Sequence, residues 1–165
     1  MLSKVLVANR GEIAVRIMRT CREMGVTSVA VYSDEDHDAM HVRLADEAYA
    51  LGGNSAAESY LDVAKVLDAI ERSNSDGVHP GYGFLSENPR FAEICEACEF
   101  TFIGPSSSMI QAMGDKAVAR RMMIEAGVPT VPGTEDTVDD AAEAFKLAEE
   151  IGYPLVIKAA AGGGG

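Results

Sequence analysis

Apolar runs and amphipathic stretches alternate along the first hundred residues. Lys4-Val5-Leu6-Val7-Ala8 is short, β-branched and apolar, the pattern of a parallel strand buried on both faces. Over residues 12–24, Ala14, Ile17, Met18 and Cys21 recur at helical spacing and predict a helix lying on that strand's sheet. Its other face carries Glu12, Arg16, Arg19 and Glu23, spaced so that Glu12–Arg16 and Arg19–Glu23 can pair along the helix. Thr27 to Tyr32 reads as a second strand, ended by Ser33-Asp34-Glu35-Asp36. A short helix over 40–45, a strand over 47–51 and a turn over 52–55 follow. Leu61, Ala64, Leu67 and Ile70 mark a helix over 61–70. A strand ends at Asp76-Gly77-Val78, a helix covers 91–98, and a strand covers 100–103. This β-α-β-α-β alternation predicts an α/β fold with a Rossmann-like, doubly wound, mainly parallel sheet.

Beyond Gly104-Pro105 the pattern turns helical. Residues 106–113 and 115–126 read as two helices joined at Gly114, with Asp115 capping the second. Val128-Pro129-Thr130-Val131-Pro132-Gly133 is a linker by composition. An amphipathic helix is expected over 137–151, with Asp139 and Asp140 in its favourable first turn. Gly152-Tyr153-Pro154 stops it. Leu155-Val156-Ile157-Lys158 then reads as a strand running towards Gly162-Gly163-Gly164-Gly165.

Composition narrows the function. Hydrophobic residues make up 47% of the 165 residues, yet no apolar run approaches membrane-spanning length, so no membrane role is expected. A net charge of -12 argues against nucleic acid or an anionic membrane as partner. The start goes straight into a strand, so a cytoplasmic protein is expected, or a mitochondrial one whose leader has been removed. Three cysteines are too few for a disulfide framework. Cys95 and Cys98 form a lone CxxC on the apolar stripe of Phe91 and Ile94, so both are expected in the core. His37 and His41 have a spacing that suits a metal only with a third ligand, and none is apparent. No metal site is therefore expected in these residues.

Two places carry phosphate or ligand chemistry. His79-Pro80-Gly81-Tyr82-Gly83-Phe84-Leu85-Ser86-Glu87-Asn88 lies between a strand and a helix. Pro80 must end the strand, and Gly81 and Gly83 allow sharp turning and close approach to a ligand. Ser86 or Asn88 can cap the helix that starts near Pro89. Open α/β sheets place ligands at such carboxyl-edge loops. The second place is Lys158 with the glycines at 162–165: a lysine in an apolar strand needs an anion, and consecutive glycines offer amides to phosphate oxygens. A nicotinamide cofactor is rejected, because Asn9-Arg10-Gly11-Glu12 supplies one glycine where a dinucleotide fold needs three, and Glu12 would repel phosphate.

Several strings together resemble the biotin carboxylases, the ATP-dependent components of acetyl-CoA, propionyl-CoA and pyruvate carboxylases. The His79–Asn88 string is similar to their signature loop. Ala8-Asn9-Arg10-Gly11-Glu12-Ile13-Ala14, Phe102-Ile103-Gly104-Pro105, Met113-Gly114-Asp115-Lys116 and Pro154-Leu155-Val156-Ile157-Lys158-Ala159 match in the family's order. The resemblance implies an ATP-grasp ligase, with a pre-ATP-grasp domain over 1–114, a helical linker over 115–133 and the opening of the ATP-grasp domain over 134–165. It implies ATP contacts at Lys116 and Lys158 and a phosphate lid at Gly162, Gly163, Gly164 and Gly165. It places Tyr82 and Gly83 on the biotin side of the cavity, and Arg16, Arg19 and Glu23 at a homodimer contact. ATP, Mg²⁺ or Mn²⁺ and carrier-borne biotin are the implied cofactors. A biotin carboxyl carrier and a carboxyltransferase component are the implied partners. No catalytic residue is identifiable in these residues, which are expected to be an amino-terminal portion, inactive alone. Two alternatives stay open: a non-catalytic dimerisation module, and another ATP-grasp ligase such as a purine-pathway carboxylase.

Overall fold

The structure, a computed structural model, describes residues 2–131, 133, 134, 138 and 140–157. Two compact units divide between residues 108 and 109.

The first unit is built on a five-stranded sheet with order β3-β2-β1-β4-β5. Its strands are β1 (Lys4–Val7), β2 (Thr27–Tyr32), β3 (Glu47–Ala50), β4 (Gly77–His79) and β5 (Thr101–Phe102). Every pairing is parallel; Val5, Leu6 and Val7 stand opposite Ser28, Val29 and Ala30 on one side and Gly77, Val78 and His79 on the other. The order runs outward from β1 to β3, then restarts beyond β1 at β4. The reversal lies between β1 and β4, the two strands whose ends carry the Ala8–Ala14 and His79–Asn88 strings.

Alternation along the strands feeds two cores, one per sheet face. Val5, Val7 and Ala30 pack with Ala14, Ile17, Met18 and Cys21 of α1 (Gly11–Glu23). Leu6, Ala8, Val29, Val31 and Val78 pack with Val66, Ala69 and Ile70 of α3 (Val63–Ser73) and Phe91 and Cys95 of α4 (Pro89–Ala97). Phe91 is fully buried and meets Phe102 edge-on at 5.9 Å. Its truncation to alanine would cost about 3–5 kcal/mol.

Helix starts follow their caps. Asp62 accepts from Lys65 N–H before α3, and Asn88 accepts from Phe91 N–H before α4, with Pro89 in its first turn. The polar break after β2 becomes a 3-10 turn over Asp34–Asp36, followed by α2 (Met40–Leu44). The sheet's amino edge is stapled by Asp76, which accepts from Ser3 N–H at 2.8 Å and Lys4 N–H at 2.9 Å.

Helix α5 (Ser107–Gly114) straddles the division between the units. In the second unit, Asp115 caps α6 (Lys116–Glu125) by accepting from the Ala117 and Val118 amides. Arg120 ties α6 to the following segment through the Val131 and Gly133 carbonyls, at 2.7 and 3.4 Å. The last helix, α7 (Ala141–Ile151), starts later than its periodicity predicts, because Asp140 lies outside it as the cap, accepting from Glu143 N–H. Thr137 and Asp139 lie outside the described residues.

Three expectations change. Leu155, Val156 and Ile157 form no strand; a strand needs a ladder partner, none pairs with them among the described residues, and Ile157 is 88% exposed. Cys98 is exposed, because α4 ends at Ala97 and Cys98 turns away as its C-cap. Of this pair only Cys95 is in the core, its thiol pushed up to about 11 by burial and then by Cys98. Lastly, neither Glu12–Arg16 nor Arg19–Glu23 forms an ion pair among the described residues; Glu12 engages Tyr82 instead.

Candidate functional site

The site grows out of the sheet reversal. After β4, Pro80 has no N–H to continue the ladder, and the chain turns away through Gly81 at φ 67° and Gly83 at φ 65°. The His79 side chain helps the turn: its Nδ1 accepts from Gly81 N–H at 3.1 Å. Burial holds this imidazole below its ordinary pKa, in the neutral form that can accept. Phe84 also sits at positive φ, 43°, a conformation that costs a non-glycine residue about 1–2 kcal/mol.

The turn after β1 meets this loop. Asn9 is buried, and its Nδ2 donates to both the Pro80 and Tyr82 carbonyls at 2.8 Å. Its Oδ1 accepts from Arg10 N–H at 2.9 Å. Gly81 lies so close that a Cβ there would sit 2.7 Å from Asn9 Nδ2. The Arg10 guanidinium stands over the Tyr60 and Phe84 rings, 5.7 and 5.9 Å from their centroids. Those rings stack at 5.2 Å. Arg10 also pairs with Asp36 at 3.0 Å, and Asp36 accepts from the Tyr60 hydroxyl at 2.6 Å. Burial raises the Asp36 carboxyl, but the bonds from Tyr60 and Arg10 outweigh it and keep the group ionised below the usual range. Tyr60 is pushed up to about 12 by burial and by Asp36.

Tyr82 itself is 60% exposed, with its hydroxyl donating to the Glu12 carboxylate, a bond that raises the phenol's pKa. Gly83 is exposed with open space where a side chain would be. An exposed aromatic ring beside a bare backbone turn is a platform for a flat, partly apolar ligand.

Elsewhere, Arg16, Arg19 and Glu23 are exposed along α1. Beside them Val15, Met18, Arg19, Arg22 and Leu44 line a groove of about 220 Å³ between α1 and α2. Lys116 is the first residue of α6. Lys158 and Gly162–Gly165 lie outside the described residues. Among the described residues no group of three His, Cys, Asp or Glu side chains gathers as metal ligands. His37 Nδ1 faces the Asp34 carbonyl at 2.9 Å, whereas His41 is buried with Nε2 3.2 Å from the Val31 carbonyl.

Sequence reasoning placed Tyr82 and Gly83 at this edge but missed Asn9, Arg10, Asp36 and Tyr60 as its support. The available signal was Asn9-Arg10 directly after a buried strand, where a polar side chain faces the carboxyl edge.

Comparison with known proteins agrees with this architecture. Residues 1–110 match the family model "Biotin carboxylase, N-terminal domain", and residues 115–165 match "Carbamoyl-phosphate synthase L chain, ATP binding domain". Over all 165 residues the chain is 54% identical to Biotin carboxylase 1 of Bacillus subtilis, covering 37% of that protein. Over 162 residues, 98% of this chain, it is 53% identical to a biotin carboxylase of a Nostoc species, covering 36% of it. The chain thus spans about a third of the length of the curated relatives it matches. The crystal structure of a Campylobacter jejuni biotin carboxylase in complex with β-γ-ATP superposes with a TM-score of 0.93 at 46% identity, covering 99% of this chain and 37% of that one. The biotin carboxylase domain dimer of the Hydrogenobacter thermophilus 2-oxoglutarate carboxylase, with MgADP, ADP and bicarbonate, gives 0.91 at 49% identity, covering 99% and 36%. With 110 of its 165 residues matched by the family model, the parallel sheet in place and such identity along its whole length, this chain belongs to the biotin carboxylase family through its amino-terminal domain.

Proposed function

We propose that this chain serves in the ATP-dependent carboxylation of biotin by bicarbonate. The observation that carries the reading is the His79–Asn88 loop at the sheet reversal, gripped by the chain's own opening motif, in a chain half identical throughout to biotin carboxylases. In the proposed reaction the γ-phosphoryl of ATP passes to bicarbonate. The carboxyphosphate so formed releases carbon dioxide for capture by a biotin nitrogen, with ADP and phosphate as the other products. The bound species named for the relatives, β-γ-ATP in one and MgADP with bicarbonate in another, support it.

The roles divide by position. Tyr82 and Gly83 form the platform for the biotin ring, which the exposed ring and open backbone fit. Lys116 and Lys158 supply ammonium groups to the nucleotide phosphates, and the glycines at 162, 163, 164 and 165 supply amides, stabilising charge rather than forming covalent bonds. Mg²⁺ or Mn²⁺ would arrive with the nucleotide and neutralise its phosphates; no residue here is assigned to it. Residues 1–114 would be the pre-ATP-grasp domain, 115–133 a helical linker and 134–165 the opening of the ATP-grasp domain; the two family matches, at 1–110 and 115–165, support that division. Arg16, Arg19 and Glu23, exposed on one helix face, would meet a second copy, as the dimeric relative suggests. A biotin carboxyl carrier and a carboxyltransferase complete the proposed partners.

The test is ATP turnover by the full-length protein carrying this sequence, with bicarbonate and with free biotin present or absent. Biotin-stimulated turnover is expected, with Lys116→Ala raising KM for ATP about 10- to 100-fold, the worth of a charged hydrogen bond. Turnover indifferent to bicarbonate and biotin, or to Lys116→Ala, overturns the reading in favour of an assembly module.

A further inference from the structure

We propose that Asn9, Arg10 and Glu12 are positioning residues, a three-point latch from the turn after β1 that sets the conformation of the 80–84 loop. The latch rests on geometry alone. That the latched loop meets biotin rests on the function proposed above.

The loop has little structure of its own. Beyond His79 it leaves the β ladder, and its two glycines and Phe84 all adopt positive φ. Such a segment keeps one conformation only where its surroundings impose it. Asn9 does so at the start. Its amide has two N–H donors, and both are used on carbonyls either side of Gly81, while Oδ1 is fixed by the Arg10 amide. Aspartate has the same shape but would turn a third acceptor onto those two carbonyls. Arg10 acts at the far end. Its guanidinium, held by Asp36, covers the stacked Tyr60 and Phe84 rings and keeps Phe84 in its strained backbone state. Glu12 acts in the middle, on the Tyr82 hydroxyl. The three contacts bracket Tyr82, so the exposed ring is presented in one place. If only a fraction of molecules holds the loop so, the apparent affinity for its ligand falls by that fraction.

The experiment compares amide hydrogen exchange of wild type and Asn9→Asp in the ligand-free full-length protein. The segment 79–88 contains amides bonded within the loop, Gly81 to His79, Ser86 to Gly83 and Asn88 to Leu85. Its exchange is expected to rise about tenfold in Asn9→Asp while β1 and β2 keep their protection. KM for free biotin should rise about tenfold with KM for ATP within about twofold of wild type. Unaltered exchange in 79–88, or an equal rise across the whole sheet, overturns the latch. Should Asn9→Asp not fold, the surface pair decides: Glu12→Ala should loosen 79–88 and Glu12→Gln, which keeps an acceptor, should not; equal behaviour overturns it. Wild type without biotin-stimulated turnover would defeat the proposed function, while the exchange data would still decide the latch.

Discussion

Two buried or half-buried groups beside the latch make its support sensitive to pH. His41 is held below its ordinary pKa of 6.5, first by burial and despite its bond to Val31. The unfolded chain therefore takes up a proton at His41 that the fold refuses, so stability falls as pH drops below 6.5. Asp36 shifts the same way for the opposite reason: its ionised form is the one bonded, by Tyr60 and Arg10. Its contribution is complete above the unfolded value of 3.8 and is lost as pH falls through the lower folded value. Thermal melts between about pH 7 and pH 3 should show both windows. His41→Gln should flatten the loss in the upper window alone. Asp36→Asn should lower the melting temperature at neutral pH and shrink the gap from wild type at the acid end. An unchanged gap at acid pH would mean that Asp36 is not ionised in the fold. None of this was legible at the residue scale, since Asp36 and Tyr60 are 24 positions apart and Asn9 and Pro80 are 71 apart. Sequence showed two conspicuous strings and no reason to join them.

At the scale of elements the glycines of the loop make separate demands. Gly81 needs both positive φ and empty space, because a Cβ would press on Asn9. Gly83 needs positive φ only, with nothing within 4 Å of its Cβ position. Gly83→Ala should cost about 1 kcal/mol, the left-handed backbone penalty alone. Gly81→Ala should cost about 1–3 kcal/mol more, since the buried Asn9 amide must also give way. Urea melts of the two variants measure the difference, and equal costs would place the loop away from Asn9. Legibility was high for the elements themselves. Apolar runs located the strands, and 3.6-residue spacing located α1, α3 and α4, because these elements bury a face in a core formed within residues 2–103. It failed where the decisive partner is not local. Residues 155–157 have a strand's composition, yet composition supplies no neighbouring strand. Cys98 follows helical spacing, yet the helix stops one residue earlier. The reversal at β1 and β4, which places the site, depends on strand order, and hydrophobic pattern carries strand identity without order.

For the whole molecule the question is how so acidic a chain would meet a second copy of itself in the contact proposed above. At a net charge of -12, two copies repel at long range, so a stable contact needs a local face of favourable sign. The exposed side of α1 is such a face. Arg16, Arg19 and Glu23 lie along it, Arg19 and Glu23 are not paired with each other, and the adjoining groove offers Val15, Met18 and Leu44. In a twofold contact each copy presents the same patch, so an arginine of one copy can meet Glu23 of the other and the pattern satisfies itself. Arg19→Glu would set like charges against each other twice in one interface. The dissociation constant, followed by sedimentation velocity of the full-length protein, should rise at least about thirtyfold, or ~2 kcal/mol. Adding Glu23→Arg should recover much of the loss if the two positions face each other across the axis. Association that ignores Arg19→Glu would place the contact on another surface, leaving the α1 face to a partner of different kind.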